Sequence, residues 1–199
     1  MRQGGFATYD GLLNDRLFLR LLNEALSRYE AAAETHVAGS DTEEWRGGNP
    51  ARRFLSAAGG DVQTAFYQDP AVCDRLARLS GVMLRPSGGY GGFTYYSRPG
   101  DHLAIHRDSQ RCDLAVITCL QETHPEGTAG KLVVYPERID DPPSALRATP
   151  DDGGVAQVLL PGQTILLFGG IVPHLIPPVA EQQVRIVSIL CYEATGTWQ

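Results

Sequence analysis

Beyond Gly81 the chain breaks into short apolar runs, GGFTYY, HLAIH, DLAVITCL, KLVVYP, VAQVLL, TILLF and VRIVSILCY, divided by Gly, Pro and charged residues. No other feature limits the fold as much. Runs of this length rich in Val, Ile, Thr and Tyr predict strands, and parallel pairing of them would need crossover helices in between. The separators are too short, or too rich in Gly and Pro, to supply regular crossovers. Antiparallel pairing remains, and a double-sheet jelly roll is the economical way to bury so many short strands.

The first part of the chain has a different period. Leu13, Leu17, Leu21, Leu22, Ala25, Leu26 and Tyr29 recur at steps of three and four, which predicts a long helix from Leu12 to about Ala33. A second helix is predicted over 70–80, with Asp69 as N-cap, Pro70 at the first helical position and Gly81 as a left-handed exit. Residues 36–61 mix charges, glycines and isolated large residues such as Trp45 and Phe54, and read as a long loop with one short turn of helix. The 199 residues fit a single domain. About 1–81 are expected to form helical support and a lid, and about 82–192 the jelly-roll core, so the fold class is mostly β with N-terminal helices.

A formal charge of −6 opposes a broad nucleic-acid or anionic-membrane surface. No stretch has the uninterrupted apolar length of a membrane helix or a signal peptide, and a soluble, cytoplasmic protein is the expectation. Cys73, Cys112, Cys119 and Cys191 are far apart and contain no CxxC pair, so they read as buried small hydrophobes and not as a disulfide framework or thiolate metal site.

The segment YYSRPGDHLAIHRDS, residues 95–109, carries the chemistry. On an extended strand His106 and Asp108 point to one face and Arg107 to the other. A third ligand has to come from elsewhere, and His174 follows the apolar run TILLF. Two neutral imidazoles and one carboxylate occupy one face of Fe(II) and leave positions for an oxidant and a cosubstrate. Taken singly, each residue has an ordinary explanation, a hydrogen-bonded strand pair for His106 and Asp108 and a turn or core histidine for His174. Arg185 opens VRIVSILCY, where a guanidinium facing an apolar interior needs an acid partner. His102 shares the face of His106 if the strand is unbroken, as a pocket donor, an alternative ligand or an exposed turn residue. His124 reads as a loop histidine, and Trp45, Arg46, Arg52, Arg53 and Arg107 as substrate contacts or, more simply, as solvated or core-edge residues. Gly169 and Gly170 suit the turn that presents His174, and Gly130 precedes the run KLVVYP.

Taken together, the aromatic strand ending in Tyr96, PGDHLAIHRD, GKLVVYPE, PGQTILLFGG and His174 followed eleven residues later by Arg185 resemble the Fe(II)/2-oxoglutarate-dependent dioxygenase superfamily, especially its prolyl-4-hydroxylase-like branch, over about residues 64–192. The resemblance implies a double-stranded β-helix, cupin-like, with His106, Asp108 and His174 as iron ligands, 2-oxoglutarate as cosubstrate and molecular oxygen as oxidant. It implies further that Arg185 grips the remote carboxylate of 2-oxoglutarate. The family often has Ser or Thr two residues after the basic one, but this chain has Val187, and Ser188 should face the other side of the strand. Tyr96 or Thr118 is then the candidate for the second contact, with core packing the equal alternative for Tyr96. The implied reaction is hydroxylation of a C–H bond in a small molecule such as an amino acid or natural-product intermediate, with a peptidyl-proline or protein substrate as runner-up. Desaturation, ring formation and epimerisation are reachable from the same centre. Two readings outside this class are a zinc-dependent hydrolase built on the same three residues and a non-catalytic jelly-roll binding protein.

Overall fold

The computed structural model describes residues 4–39, 49–89, 91–109, 111–124 and 126–196. The elements in chain order are β1 (Phe6–Tyr9), α1 (Asp15–Arg28), a 3-10 turn (Tyr29–Ala31), β2 (Ala33–Val37), β3 (Arg52–Ala58), α2 (Asp61–Gln68), α3 (Pro70–Ser80) and β4 (Leu84–Pro86). They continue with β5 (Gly92–Tyr96), β6 (His102–His106), β7 (Leu114–Glu122), β8 (Leu132–Val134), α4 (Pro143–Ala148), β9 (Val155–Gln157), β10 (Thr164–Leu167), β11 (His174–Ile176) and β12 (Arg185–Ala194). The strands form one curled antiparallel sheet in the order β1-β10-β7-β12-β5-β3-β6-β11-β8-β9, with β2 on β3 and β4 on β12. This is the double-stranded β-helix with N-terminal helices that the β-rich runs imply.

Period-two alternation along β12 divides the core in two. Ile186, Leu190 and Tyr192 turn outward beneath the helices, where they join Leu21 and Ala25 of α1 and Phe66 of α2 in one buried cluster. Arg185, Val187 and Ile189 turn inward and line a cavity. The helices therefore cover the back of the sheet and leave its concave side for a site. Gln63 of α2 fastens this back layer, donating to Ser188 Oγ (2.7 Å) and the Gly92 carbonyl (3.0 Å). Ser188 accordingly faces away from the cavity.

Capping chemistry sets the helix ends. Asn14 accepts from Leu17 N at 2.9 Å, which starts α1 later than Leu12, and a 3-10 turn ends it before Ala33, which already belongs to β2. The 70–80 helix has its predicted ends, with Asp69 accepting from Ala71 N and Gly81 at φ 84°. The start of α2 is capped from outside itself, since Glu24 of α1 accepts from the backbone N–H groups of Val62 (2.8 Å) and Gln63 (2.9 Å), a carboxylate at the positive end of a helix.

Two expectations are corrected. The reading of 36–61 as a loop with one short helical turn fails for its described part: Arg52–Ala58 is β3, a central strand hydrogen-bonded to β5 and β6. Two arginines at its start hide the alternation, because their guanidiniums reach past the sheet, Arg52 to Asn49 and Arg53 to Asp101. The first 81 residues thus contribute strands as well as helical support; Trp45 and Arg46, within the segment expected to be a lid, lie outside the described residues. The cysteine reading also fails for one pair, since Cys112 and Cys191 form a disulfide that ties the segment after Asp108 to β12. Cys73 and Cys119 are free. Among the described residues no helix is long and apolar enough to cross a membrane.

Candidate metal centre

His106 ends β6 and His174 begins β11, and these two residues face each other as partners in the antiparallel pair. Asp108 comes two residues after His106, beyond the strand, and its N–H is held by the Gly169 carbonyl at 2.8 Å. Donor atoms of the three side chains all lie within 4.8 Å of one another. Asp108 Oδ1 is 3.7 Å from Nε2 of each histidine, and the imidazole centroids are 4.3 Å apart.

The ring nitrogens turned away from this cluster are occupied. His106 Nδ1 is 2.9 Å from the Ala104 carbonyl and His174 Nδ1 is 3.0 Å from the Val172 carbonyl. A carbonyl only accepts, so each Nδ1 carries a proton and Nε2 is the ring nitrogen turned to the common point. Burial, with His106 next to it, lowers His174 to about 4, so the ring is neutral and ready to ligate at pH 7. Two imidazoles and one carboxylate converging from one side form a His–Asp–His facial triad. This donor set suits Fe(II) with open coordination positions, and it is the fit the three residues offer.

Glycine makes the approach of Asp108 possible. A Cβ on Gly169 would overlap the Asp108 carboxylate. Gly169, expected at the turn that presents His174, thus also makes a contact that the sequence did not suggest. Arg107, alternating with the triad, is 1% exposed and faces away from it. Its guanidinium donates to the carbonyls of Ile171, Ile139 and Asp141 at 2.8–3.0 Å, which secures the segment leading to His174. The core-edge reading of Arg107 is therefore the one observed.

The triad opens into a cavity of about 70 Å³ whose lining includes Tyr96, Leu132, Ile176, Arg185, Val187 and Ile189. Arg185 is 1% exposed; Nη1 donates to the Gly130 carbonyl at 2.6 Å, while Nε has no partner among the described residues. A buried, unsatisfied guanidinium N–H in a cavity wall is costly, and an acid group placed there would relieve it. Tyr96 packs its ring on Phe54 and has no hydrogen-bond partner for its hydroxyl among the described residues. Burial outweighs the nearby Arg185 and holds that hydroxyl protonated, as a donor. Val187 also lines the cavity and brings no hydroxyl to it.

The remaining candidates lie elsewhere. Thr118 turns to the opposite face of β7, where its hydroxyl pairs with Thr164 at 2.8 Å, so the expectation of a cosubstrate contact there is corrected by strand parity. His102 does not share the inward face of His106. The register shifts between His174 and Ile176, Ile176 stands opposite Leu103, and Leu103 faces the metal cavity. His102 bonds the Gly100 carbonyl and lines a separate cleft. His124 is an exposed loop residue, as read. The apolar walls Ala115 and Ile117 escaped notice although alternation along DLAVITCL, which sets them on the face opposite Thr118, was the signal for them.

Neither a family model nor a curated protein matches the sequence. Solved structures do match. The epimerase SnoN, described as non-haem and α-ketoglutarate-dependent and from nogalamycin biosynthesis, aligns with a TM-score of 0.73 at 16% identity over 97% of this chain and 77% of that one. A prolyl-4-hydroxylase of Pseudomonas putida aligns at 0.62 and 17% identity, over 96% of this chain and 94% of that one. The carbocyclase SnoK, also described as α-ketoglutarate-dependent, aligns at 0.68 and 13% identity, over 96% of this chain and 80% of that one. The chain has the fold of the non-haem α-ketoglutarate-dependent enzymes. Its similarity spans an epimerase, a carbocyclase and a hydroxylase, so the fold itself does not choose among those outcomes.

Proposed function

We propose that the protein is an Fe(II)- and 2-oxoglutarate-dependent oxygenase that hydroxylates a C–H bond of a small molecule. One observation carries this reading: a His–Asp–His triad and a buried guanidinium with an unpartnered N–H line the same small cavity. His106, Asp108 and His174 are assigned to the iron, Arg185 to the remote carboxylate of 2-oxoglutarate, and the Tyr96 hydroxyl to a second bond to that carboxylate. When bound, iron and 2-oxoglutarate supply the oxidising power toward C–H bonds. The chain's own part is positioning and the exclusion of water. The Ala104 and Val172 carbonyls keep both Nε2 atoms aimed at the metal, Arg185 and Tyr96 orient the dicarboxylate, and the apolar walls at Leu132, Ile176 and Val187 keep bulk water out.

A cleft of about 480 Å³ supports the small-molecule assignment. Its walls include Ser56, Gly92, Thr94, Ser109, Arg111 and the Cys112–Cys191 disulfide, and it shares Ile189 with the metal cavity. Small hydroxyl-bearing and glycine positions leave room for a compact, polar-decorated substrate next to the metal cavity at Ile189. We place the protein in the cytoplasm, where both iron and 2-oxoglutarate are at hand. The disulfide bears on that placement, because thiols there are kept reduced. Counting free thiols in denatured protein from anaerobic cell extract tests it: four means the pair is reduced in the cell, two means that it resists.

The deciding experiment is anaerobic titration of metal-stripped protein with Fe(II) and 2-oxoglutarate. A visible charge-transfer band that needs both components, and is lost in His174→Ala, is expected. Folded, iron-loaded protein without such a band would overturn the assignment and favour a hydrolase or a binding protein. Once a substrate is found, product mass separates hydroxylation from desaturation, ring closure and epimerisation.

A further inference from the structure

Behind Arg185 lies a buried ion pair that the sequence reading did not anticipate. Arg185 opens β12, and its partner residue on β7 is Glu122. Both are out of water, with Arg185 1% exposed and the Glu122 side chain 1% exposed. A guanidinium and a carboxylate on adjacent strands in a dry interior are natural partners. Yet no ion pair joins these two residues. Glu122 turns toward the 123–131 segment instead: Oε2 lies 3.0 Å from Lys131 Nζ, and Oε1 accepts from His124 N (2.9 Å) and Gln183 Nε2 (3.2 Å). The Lys131 side chain is fully buried and also donates to the His124 carbonyl.

We propose that Lys131 is a positioning residue that holds Glu122 away from Arg185 and so keeps the guanidinium free for the 2-oxoglutarate carboxylate. The inference rests on the assignment of Arg185 made above. Two buried cations and one buried anion are one negative charge short, and a ligand carboxylate supplies that charge. The turn at Ala129–Lys131 serves both tasks at once. The Gly130 carbonyl accepts from Arg185 Nη1, and the next residue neutralises the competing acid. Gln183 locks the turn by donating to the Ala129 carbonyl at 2.9 Å. Gly130 is required there, since it has φ 63° and a Cβ would lie 2.7 Å from Val179 Cγ1 and 2.8 Å from Gln183 Nε2. The three charges are close neighbours: Arg185, Glu122 and Lys131 all act on the thiol of Cys119, which burial raises to about 11.

The test is the dissociation constant of 2-oxoglutarate, read anaerobically from the charge-transfer band of Fe(II)-loaded protein. Lys131→Met should weaken binding by about tenfold or more, because Glu122 turns to Arg185. The double variant Lys131→Met/Glu122→Gln should recover to within about threefold of the original protein, since the competitor is gone. Lys131→Arg should bind like the original. Iron affinity measured without 2-oxoglutarate should be unaltered in all three. A Lys131→Met protein that binds as tightly as the original, or a double variant as weak as the single one, overturns the proposal; a purely structural role predicts no rescue. If Lys131→Met does not fold, the double variant decides, as it leaves no uncompensated buried charge, and binding more than about tenfold weaker overturns the proposal. Absence of the band in the original protein overturns the parent assignment as well, and is told apart by failing before any variant is compared.

Discussion

The two ends of the metal cavity are built on different principles. At the triad end, each imidazole is aimed by a carbonyl close to it in sequence, and Asp108 alone leans on a distant residue, Gly169. His106 Nδ1 bonds the carbonyl two residues back, His174 Nδ1 does the same, and Asp108 follows His106 by two. At the Arg185 end nothing local does the aiming. The guanidinium is held by Gly130, fifty-five residues away, and its neighbours Glu122 and Lys131 come from β7 and from the turn before β8. A site can therefore be half local and half assembled, and the two halves should fail differently when perturbed.

The largest effect should come from removing a ligand. His174→Ala is expected to lower Fe(II) affinity by more than about 100-fold, judged against the roughly 10–100-fold cost of losing a mere supporting contact to a ligand. Metal content after dialysis measures it, and retention of iron would break the idea that the triad end is a metal centre. Arg185→Lys comes next. A single ammonium does not reproduce the guanidinium fork, and 2-oxoglutarate affinity should drop by about 10–100-fold while iron affinity holds. Loss of both together would show that the two ends are not separable. Gly169→Ala should act on the triad alone, pushing Asp108 aside and weakening iron binding by about tenfold with little change in global stability. Iron titration against thermal melting checks that split. Smallest is Thr118→Val, which leaves Thr164 without its partner and should cost about 1–2 kcal/mol in denaturant unfolding, with unchanged affinity for both iron and 2-oxoglutarate. A change in cosubstrate affinity there would restore Thr118 to the site.

Legibility in the sequence follows the same division. The 70–80 helix is readable because its signals, Asp69, Pro70 and Gly81, act within a few residues of where they stand. His106 and Asp108 are readable as a pair because a spacing of two in extended chain turns both side chains to one face, and Asp108 keeps to that face although it lies just beyond β6. Strand β3 is not readable, since its central place depends on pairing with β5 and β6, about forty and fifty residues onward, while its own first residues are charged. Thr118 and His102 fail for a related reason. Which face a residue takes is set by strand register, and the shift at His174–Ile176 turns His102 away from the cavity. The Cys112–Cys191 bond is equally invisible, because seventy-nine residues separate two cysteines that the sheet places 4.7 Å apart at Cα.

By itself, then, the sequence determined the antiparallel β architecture, the helix at 70–80, the identity of three convergent metal-binding side chains and the presence of a buried arginine downstream of them. The architecture and the helix rest on periodicity and capping, whose physics reaches only a few residues along the chain, whereas His174 and Arg185 joined His106 and Asp108 through the resemblance of the whole motif pattern. The tertiary structure alone decided that Arg185 keeps an unpartnered N–H in the cavity wall, that Glu122 answers to Lys131, that Gly169 makes room for Asp108, and that Thr118 and His102 stand outside. Each of those outcomes depends on which distant residues share a dry volume, and burial makes the pairing of charges and donors there both costly to leave undone and impossible to assign from neighbours in the chain.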